Sequence, residues 1–183
     1  GSVTSSNATL MVTVDHFAWN AIPSPRFLNA PFAVKVTSQD AANGIFSNYT
    51  GVIFLSASNG VPFAPTVASN LVQGVWTGTI VVSQTATNLV LRAGDGSGHT
   101  GLANPINVVN LPALTTTPSG GTLYISWPTN PPGFTLETTI NLESGDWVPV
   151  SAPPLLFGGE YVEPIILNGT NASVFYRLYF NGP

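Results

Sequence analysis

The chain has 183 residues, of which 44% are hydrophobic and only 7% charged, with 18 Gly and 16 Pro. The apolar share is enough for the core of one large domain or two small ones, but the charged share is far below the roughly 25% usual in soluble domains. A net charge of −4 with only four Lys and Arg excludes the basic footprint that nucleic acid requires. The absence of Cys excludes disulfides and thiolate metal sites, and no apolar run approaches the ~18 residues that would insert into a membrane.

In chain order, Gly1 and Ser2 read as a remnant of tag cleavage. Residues 1–14 are that remnant plus a first strand or linker, VTSSNATLMVTV. No sustained helical periodicity follows. Short alternating runs appear instead, separated by turn residues, which predicts an all-β chain. In PFAVKVTSQD, Phe32, Val34 and Val36 point one way. In TGVIFLS, Ile53 and Leu55 share a face, which turns Val52 and Phe54 outward. In VWTGTIVV, Trp76 lies with Ile80 and Val82, and in NLVLRA, Leu89 lies with Leu91 and Ala93. INVV (106–109) closes the series.

NLPALTTTPSGG is rich in Thr, Pro and Gly and marks a linker over residues 111–121. The strand pattern then restarts with TLYISW, FTLETTI, DWVPV, YVEPIIL and VFYRLYF. The expected division is therefore a domain over 15–110, the linker, and a smaller domain over 122–183. Up to residue 112, Arg26, Lys35 and Arg92 balance Asp15, Asp40 and Asp95, so the net charge falls on the second half. A solvated acidic surface is the expected meaning.

The segments SPRFLNAPFAV, SQDAANG, TGVIFLS, GVWTG and LRAGDGSG resemble, in order, the immunoglobulin-like modules repeated in large secreted proteins of environmental bacteria. The match covers roughly residues 15–110. ISW, FTLETTINL, DWVPV and FYRL are similar to a degenerate fibronectin type III module with one or two strands missing. The resemblance implies two consecutive antiparallel β-sandwich domains, immunoglobulin-like then fibronectin III-like. It also implies a place near the C-terminus of a secreted or cell-surface multimodular bacterial protein.

Five residue groups carry candidate chemistry. LRAGDGSGHTG sets Asp95, Ser97 and His99 at alternate positions, the three residue types of a hydrolytic triad. A triad needs residues converging from separate loops, whereas Gly94, Gly96, Gly98 and Gly101 read as suppliers of positive φ for a hairpin turn. No catalytic site is expected, and the acidic residues of the second half lie mostly in or beside turns, with no sign of one cleft between a pair of them. Asp40 and Asp95, each following a core strand, could contribute to a calcium site at one end of the sandwich; otherwise they stabilise their turns. His16 and His99 are isolated, which disfavours zinc.

Aromatic surfaces are the other candidates. Trp76 and Trp127 share parity with core residues, and Trp19 and Trp147 occupy positions usually packed in the modules resembled. In VFYRLYF, Val174, Tyr176 and Leu178 should face the core, turning Phe175, Arg177 and Tyr179 out. In FTLETTI, Phe134, Leu136 and Ile140 go in while Thr135, Glu137 and Thr139 go out. In a fibronectin-like order these strands are neighbours, so Glu137 and Arg177 could pair across them, beside two rings. That face, and the outward Phe54 of the first domain, could take a polysaccharide or cell-surface glycan, or be covered by another domain. The expected function is a non-catalytic, monomeric accessory or spacer pair; the alternative is a carbohydrate-binding module.

Overall fold

The structure, a computed structural model, describes residues 11–167 and 173–182. The protein is all-β, and every strand pair described is antiparallel. It divides into two compact units, Gly1–Val108 and Val109–Pro183.

Unit 1 contains β1 (His16–Trp19), β2 (Arg26–Phe27), β3 (Phe32–Gln39), β4 (Ile53–Ala57), β5 (Phe63–Ala64) and β6 (Val67–Ala68). β7 (Val75–Val82), β8 (Ala86–Leu89), β9 (Leu91–Gly94), β10 (Thr100–Leu102) and β11 (Ile106–Val109) follow. They form sheets in the orders β1-β3-β7-β5, β10-β9-β4-β6 and β2-β11-β8. The two-residue alternation of the sequence becomes the core: Phe32, Val34, Val36, Ile53, Leu55, Ile80, Val82, Leu89, Leu91, Ala93, Ile106 and Val108 are all buried together. Each Val, Leu, Ile and Phe among them contributes about 1.5–3 kcal/mol on leaving water.

Two details depart from the sequence pattern. The alternation in β3 ends at Thr37 and Ser38, both buried, because the Ser38 hydroxyl reaches the carbonyls of Phe46 (2.9 Å) and Gly74 (3.1 Å). NLVLRA, read as one strand, is split between β8 and β9, which belong to different sheets. The crossing at Val90 is held by its amide on the Ser58 hydroxyl (3.1 Å) and its carbonyl on the Ser58 amide (2.9 Å). The first strand proposed over residues 1–14 lies outside the described residues up to Leu10, and residues 11–14 form no strand.

Unit 2 contains β12 (Thr115–Ser119), β13 (Thr122–Pro128), β14 (Phe134–Thr139), β15 (Val148–Pro149), β16 (Leu155–Phe157), β17 (Glu160–Ile166) and β18 (Phe175–Phe180). Its sheets run β12-β13-β17-β16 and β15-β14-β18. The expected linker 111–121 is therefore partly a strand. Thr115–Ser119 pairs residue by residue with Thr122–Ser126 through a turn at Gly120 and Gly121, both at positive φ. The Thr-rich run has β propensity that its flanking Pro and Gly masked. The core lies between the two sheets: Ile125 and Trp127 from β13 meet Leu136 from β14, ringed by half-buried Leu123, Tyr161, Ile165, Tyr176 and Leu178. It is much smaller than the core of unit 1.

Candidate functional site

The stretch LRAGDGSGHTG forms the end of β9, a turn, and β10. Asp95 Oδ1 accepts the amides of Ser97 (2.8 Å) and His99 (3.3 Å), and Oδ2 meets His99 Nδ1 at 2.5 Å. Burial alone would raise the Asp95 carboxyl. The hydrogen bonds from the His99 ring and the Ser97 amide outweigh it, with the charge of His99 adding to them, and hold the group below the ordinary carboxylate value. Both carboxylate oxygens are thus occupied by the turn itself. Gly96 and Gly98 have positive φ as expected, whereas Gly94 and Gly101 do not; they lie in the strands. Gly101 is required for a different reason, since a Cβ there would stand 1.8 Å from the Phe17 carbonyl oxygen.

Asp40 behaves likewise: its Oδ1 accepts the amides of Ala42 (2.9 Å) and Gly44 (2.8 Å). The register carries both turns toward one end of unit 1, because Gln39 pairs with His16 while Gly101 packs against Phe17. Calcium takes six to eight oxygens, and among the described residues no group of three or more His, Asp or Glu could hold a metal. Tyr49 is the residue that sequence reading missed here. Its hydroxyl is pushed up first by burial and then by the negative charge of Asp95, and its ring meets Phe17 edge-on at 5.3 Å.

On the outer face of β10-β9-β4-β6, one row runs Thr100, Gly94, Phe54, Val67. Phe54 is 55% exposed and Val52 and Val67 are exposed beside it, while Ile53 and Leu55 point inward. With Ser56, Arg92 and His99, Phe54 borders a shallow depression of about 380 Å³. Phe54 belongs to unit 1, and the other four proposed ligand residues belong to unit 2.

Those four do meet. β14 and β18 pair with Glu137 opposite Arg177, Thr135 opposite Tyr179 and Thr139 opposite Phe175. Arg177 donates from Nε (2.9 Å) and Nη2 (2.8 Å) to Glu137 Oε2. The guanidinium lies 4.4 Å from the centroid of Trp147 and 5.5 Å from that of Tyr179. Arg177 thus bridges an acid and two rings, a charge-assisted hydrogen bond joined to cation–π stacking.

Several expectations need correction. Glu137 and Thr139, placed outward, are buried: Arg177 lies over Glu137, and Thr139 stands opposite Phe175. Ile140, placed in the core, is 78% exposed: β14 ends at Thr139, whose hydroxyl donates to the Asn141 carbonyl (3.0 Å) and turns the chain. Val174 precedes the first residue of β18 and is exposed for that reason, whereas Tyr176 and Leu178 pack on the core as expected. Trp147, assigned a packing role, is half-buried on the outer face, stacked with Arg177. It lies just before the two-residue strand β15, too short for parity to place it. Trp127 is buried with Ile125, as its parity requires, and Trp19 and Trp76 pack against the core of unit 1.

Fold and site together define an all-β, two-unit chain whose polar residues chiefly serve its own turns. No family model and no curated protein matches the sequence. Among solved structures, the chain is similar to the S-layer protein rSbsC(31-844), with a TM-score of 0.42 and 10% identity over 96% of this chain and 26% of that one. The Escherichia coli adhesin FdeC aligns with a TM-score of 0.40 and 14% identity, over 96% of this chain and 62% of that one. Bovine butyrophilin aligns with a TM-score of 0.33 and 9% identity, over 90% and 92% of the two chains. The chain thus spans about a quarter of the S-layer protein's length. Among the described residues no helix is long and apolar enough to cross a membrane.

Proposed function

We propose that this chain is a non-catalytic pair of modules that spaces or presents other parts of a secreted or cell-surface bacterial protein. Unit 1 is the bacterial immunoglobulin-like module, and unit 2, with ISW, FTLET and FYRL on β13, β14 and β18, the fibronectin-like one. The observation that supports this most is the state of Asp95. Its carboxylate holds two backbone amides and the His99 ring of its own turn, but among the described residues no hydrogen bond joins that ring to the Ser97 hydroxyl, so the base–nucleophile contact of a triad is not formed. The reading is tested by exchange. Replacing the chain, within its parent protein, by an unrelated sandwich pair of similar length should leave the parent's activity intact. Loss of that activity with folding retained would overturn the spacer role.

The Arg177 cluster favours a second reading, a carbohydrate-binding module. Pyranose C–H faces pack on aromatic rings, and Trp147 and Tyr179 flank a guanidinium held in place by Glu137. Calorimetry against a panel of neutral and acidic polysaccharides should then detect binding that Arg177→Ala weakens about tenfold, since it removes a charged hydrogen-bond donor. No heat with any polysaccharide would remove this reading without touching the first.

A further inference from the structure

Gly94 is the glycine of LRAGDGSGHTG that the fold does not require. It pairs in regular register with Phe54 on one side and Thr100 on the other, so it marks no bulge. Its φ is not positive, and a Cβ there would meet only the His99 carbonyl oxygen and Thr100 Cγ2, both at 3.6 Å, an ordinary contact. No atom of Phe54 comes within 4 Å of that position, so the ring does not cover the glycine. Glycine inside a strand weakens it, and where no bulge or bend explains its presence it marks the close approach of another group. Gly101, in the neighbouring strand, has such a group in the Phe17 backbone. Gly94 instead borders the open depression of about 380 Å³ on the outer face of unit 1.

The side chains around that depression carry complementary chemistry. Phe54 offers an exposed ring across from the glycine. Arg92, the preceding outward residue of β9, stands opposite Ser56 and is exposed. Unlike Arg177, it has no acidic partner among the described residues. Ser56 and Thr100 add hydroxyls, and His99, whose Nδ1 is held by Asp95 Oδ2, keeps Nε2 for a ligand. The Asp95 carboxylate itself is engaged by two amides and that ring. An unpaired guanidinium takes a carboxylate through two parallel hydrogen bonds. A bare aromatic ring packs on C–H surface, and hydroxyls and a ring nitrogen bond other hydroxyls. A ligand with one negative charge, an apolar ring face and several hydroxyls satisfies all of these groups at once.

We propose that this depression binds a uronic acid residue of an acidic polysaccharide. The sugar's C–H face packs on Phe54, its carboxylate on the Arg92 guanidinium, and its hydroxyls on Ser56, Thr100 and His99. Its ring lies over Gly94, where a side chain would hold it off. The volume falls within the roughly 300–1,000 Å³ of small-molecule sites, and a shallow site on a sheet face suits one unit of a longer chain. The charges of unit 1 balance, Arg26, Lys35 and Arg92 against Asp15, Asp40 and Asp95, so unit 1 does not repel a polyanion as the acidic unit 2 does. The site lies wholly in unit 1. It shares with the carbohydrate-binding reading of the Arg177 cluster only the class of ligand.

Calorimetry of the full chain with short oligomers of galacturonate, alginate and hyaluronan tests this, and at least one should bind. The methyl ester of that oligomer keeps the C–H faces and loses the charge, so it should bind about tenfold more weakly. Arg92→Gln should weaken the acid about tenfold and leave the ester unchanged. Gly94→Val should abolish binding while the melting temperature holds, because the Cβ has room and β-branched residues suit strands. Should valine disturb β9, the ester and Arg92→Gln decide the matter, since neither alters the strand. Arg177→Ala should leave the affinity unchanged. Binding lost in Arg177→Ala but kept in Arg92→Gln would place the ligand on unit 2, overturning this proposal and supporting the other site. No binding of any of the three oligomers at about 1 mM, equal affinity for acid and ester, or full affinity in folded Gly94→Val also overturns it.

Discussion

Gly101→Ala should destabilise unit 1 by about 3 kcal/mol or more, at the upper end of what overpacking costs. A Cβ at this position would lie 1.8 Å from the Phe17 carbonyl oxygen and 2.5 Å from its carbon. The obstacle is backbone, so no rotamer change relieves it. β10 would have to part from β1, breaking the Trp19 Nε1 hydrogen bond to the Gly101 carbonyl (3.3 Å). It would also loosen Phe17, which is buried against Tyr49. Gly94→Ala is the control from the same stretch. There the nearest atoms stand 3.6 Å away and φ is not positive, so the change should be close to neutral. Thermal unfolding followed by tryptophan fluorescence measures both; equal melting of the two variants would show that the approach of β10 to β1 is not as close as described.

Glu163 should make unit 2 less stable as pH rises, and Glu163→Gln should abolish that dependence. The side chain is 5% exposed. It follows β13 residue Ile125 in register, on the face that also carries Trp127 and Tyr161, and it lines a cavity of about 110 Å³ with Trp127, Phe134 and Leu136. Burial pushes its carboxyl above the ordinary value, because the charged form is disfavoured away from water. The folded state therefore holds the proton more tightly than the unfolded state, whose value is about 4.3. Stability is fully present below that value and is lost as pH rises through the folded one. With so small a core, unit 2 has little reserve. Glu163→Leu should accordingly raise its stability near pH 7 by about 1–3 kcal/mol, since a buried carboxylate is replaced by apolar volume. Urea unfolding between pH 4 and 8 reads the effect, and an identical pH profile in Glu163→Gln would rule out Glu163 as its source. Trp127 Nε1, buried without a hydrogen-bond partner, adds a further polar cost to the same core.

Much of the fold was legible in the sequence because a strand buried on one face must alternate. Ile53 and Leu55 against Phe54, and Ile125 and Trp127 against Ser126, could be assigned from parity alone. The Glu137–Arg177 pair was legible too, since parity and neighbouring strands suffice to place it. Parity failed where strands end or are short. Ile140 and Val174 lie one residue outside their strands and lose the face they were assigned. Trp147 precedes a strand of two residues. Glu163 sits in YVEPIIL, where apolar residues occupy both parities, so nothing local marks which face turns inward. β12 was hidden because proline and glycine signal a break in the chain without saying whether a strand lies between them.

What the sequence determined by itself is the all-β class, the main core faces, the place where the pattern restarts near residue 112, and the turn character of LRAGDGSGHTG. These follow from local rules: side-chain alternation, the conformational freedom of glycine, and the hydrogen bonding of a short acidic side chain to its own loop. Only the tertiary structure decided that Gly101 is held by Phe17 rather than by its own φ, that Arg177 lies over a buried Glu137 and against Trp147, and that Glu163 faces the core. Each of these depends on which segment distant in sequence comes to lie against the residue, and that is settled by strand order and register, which no local pattern encodes.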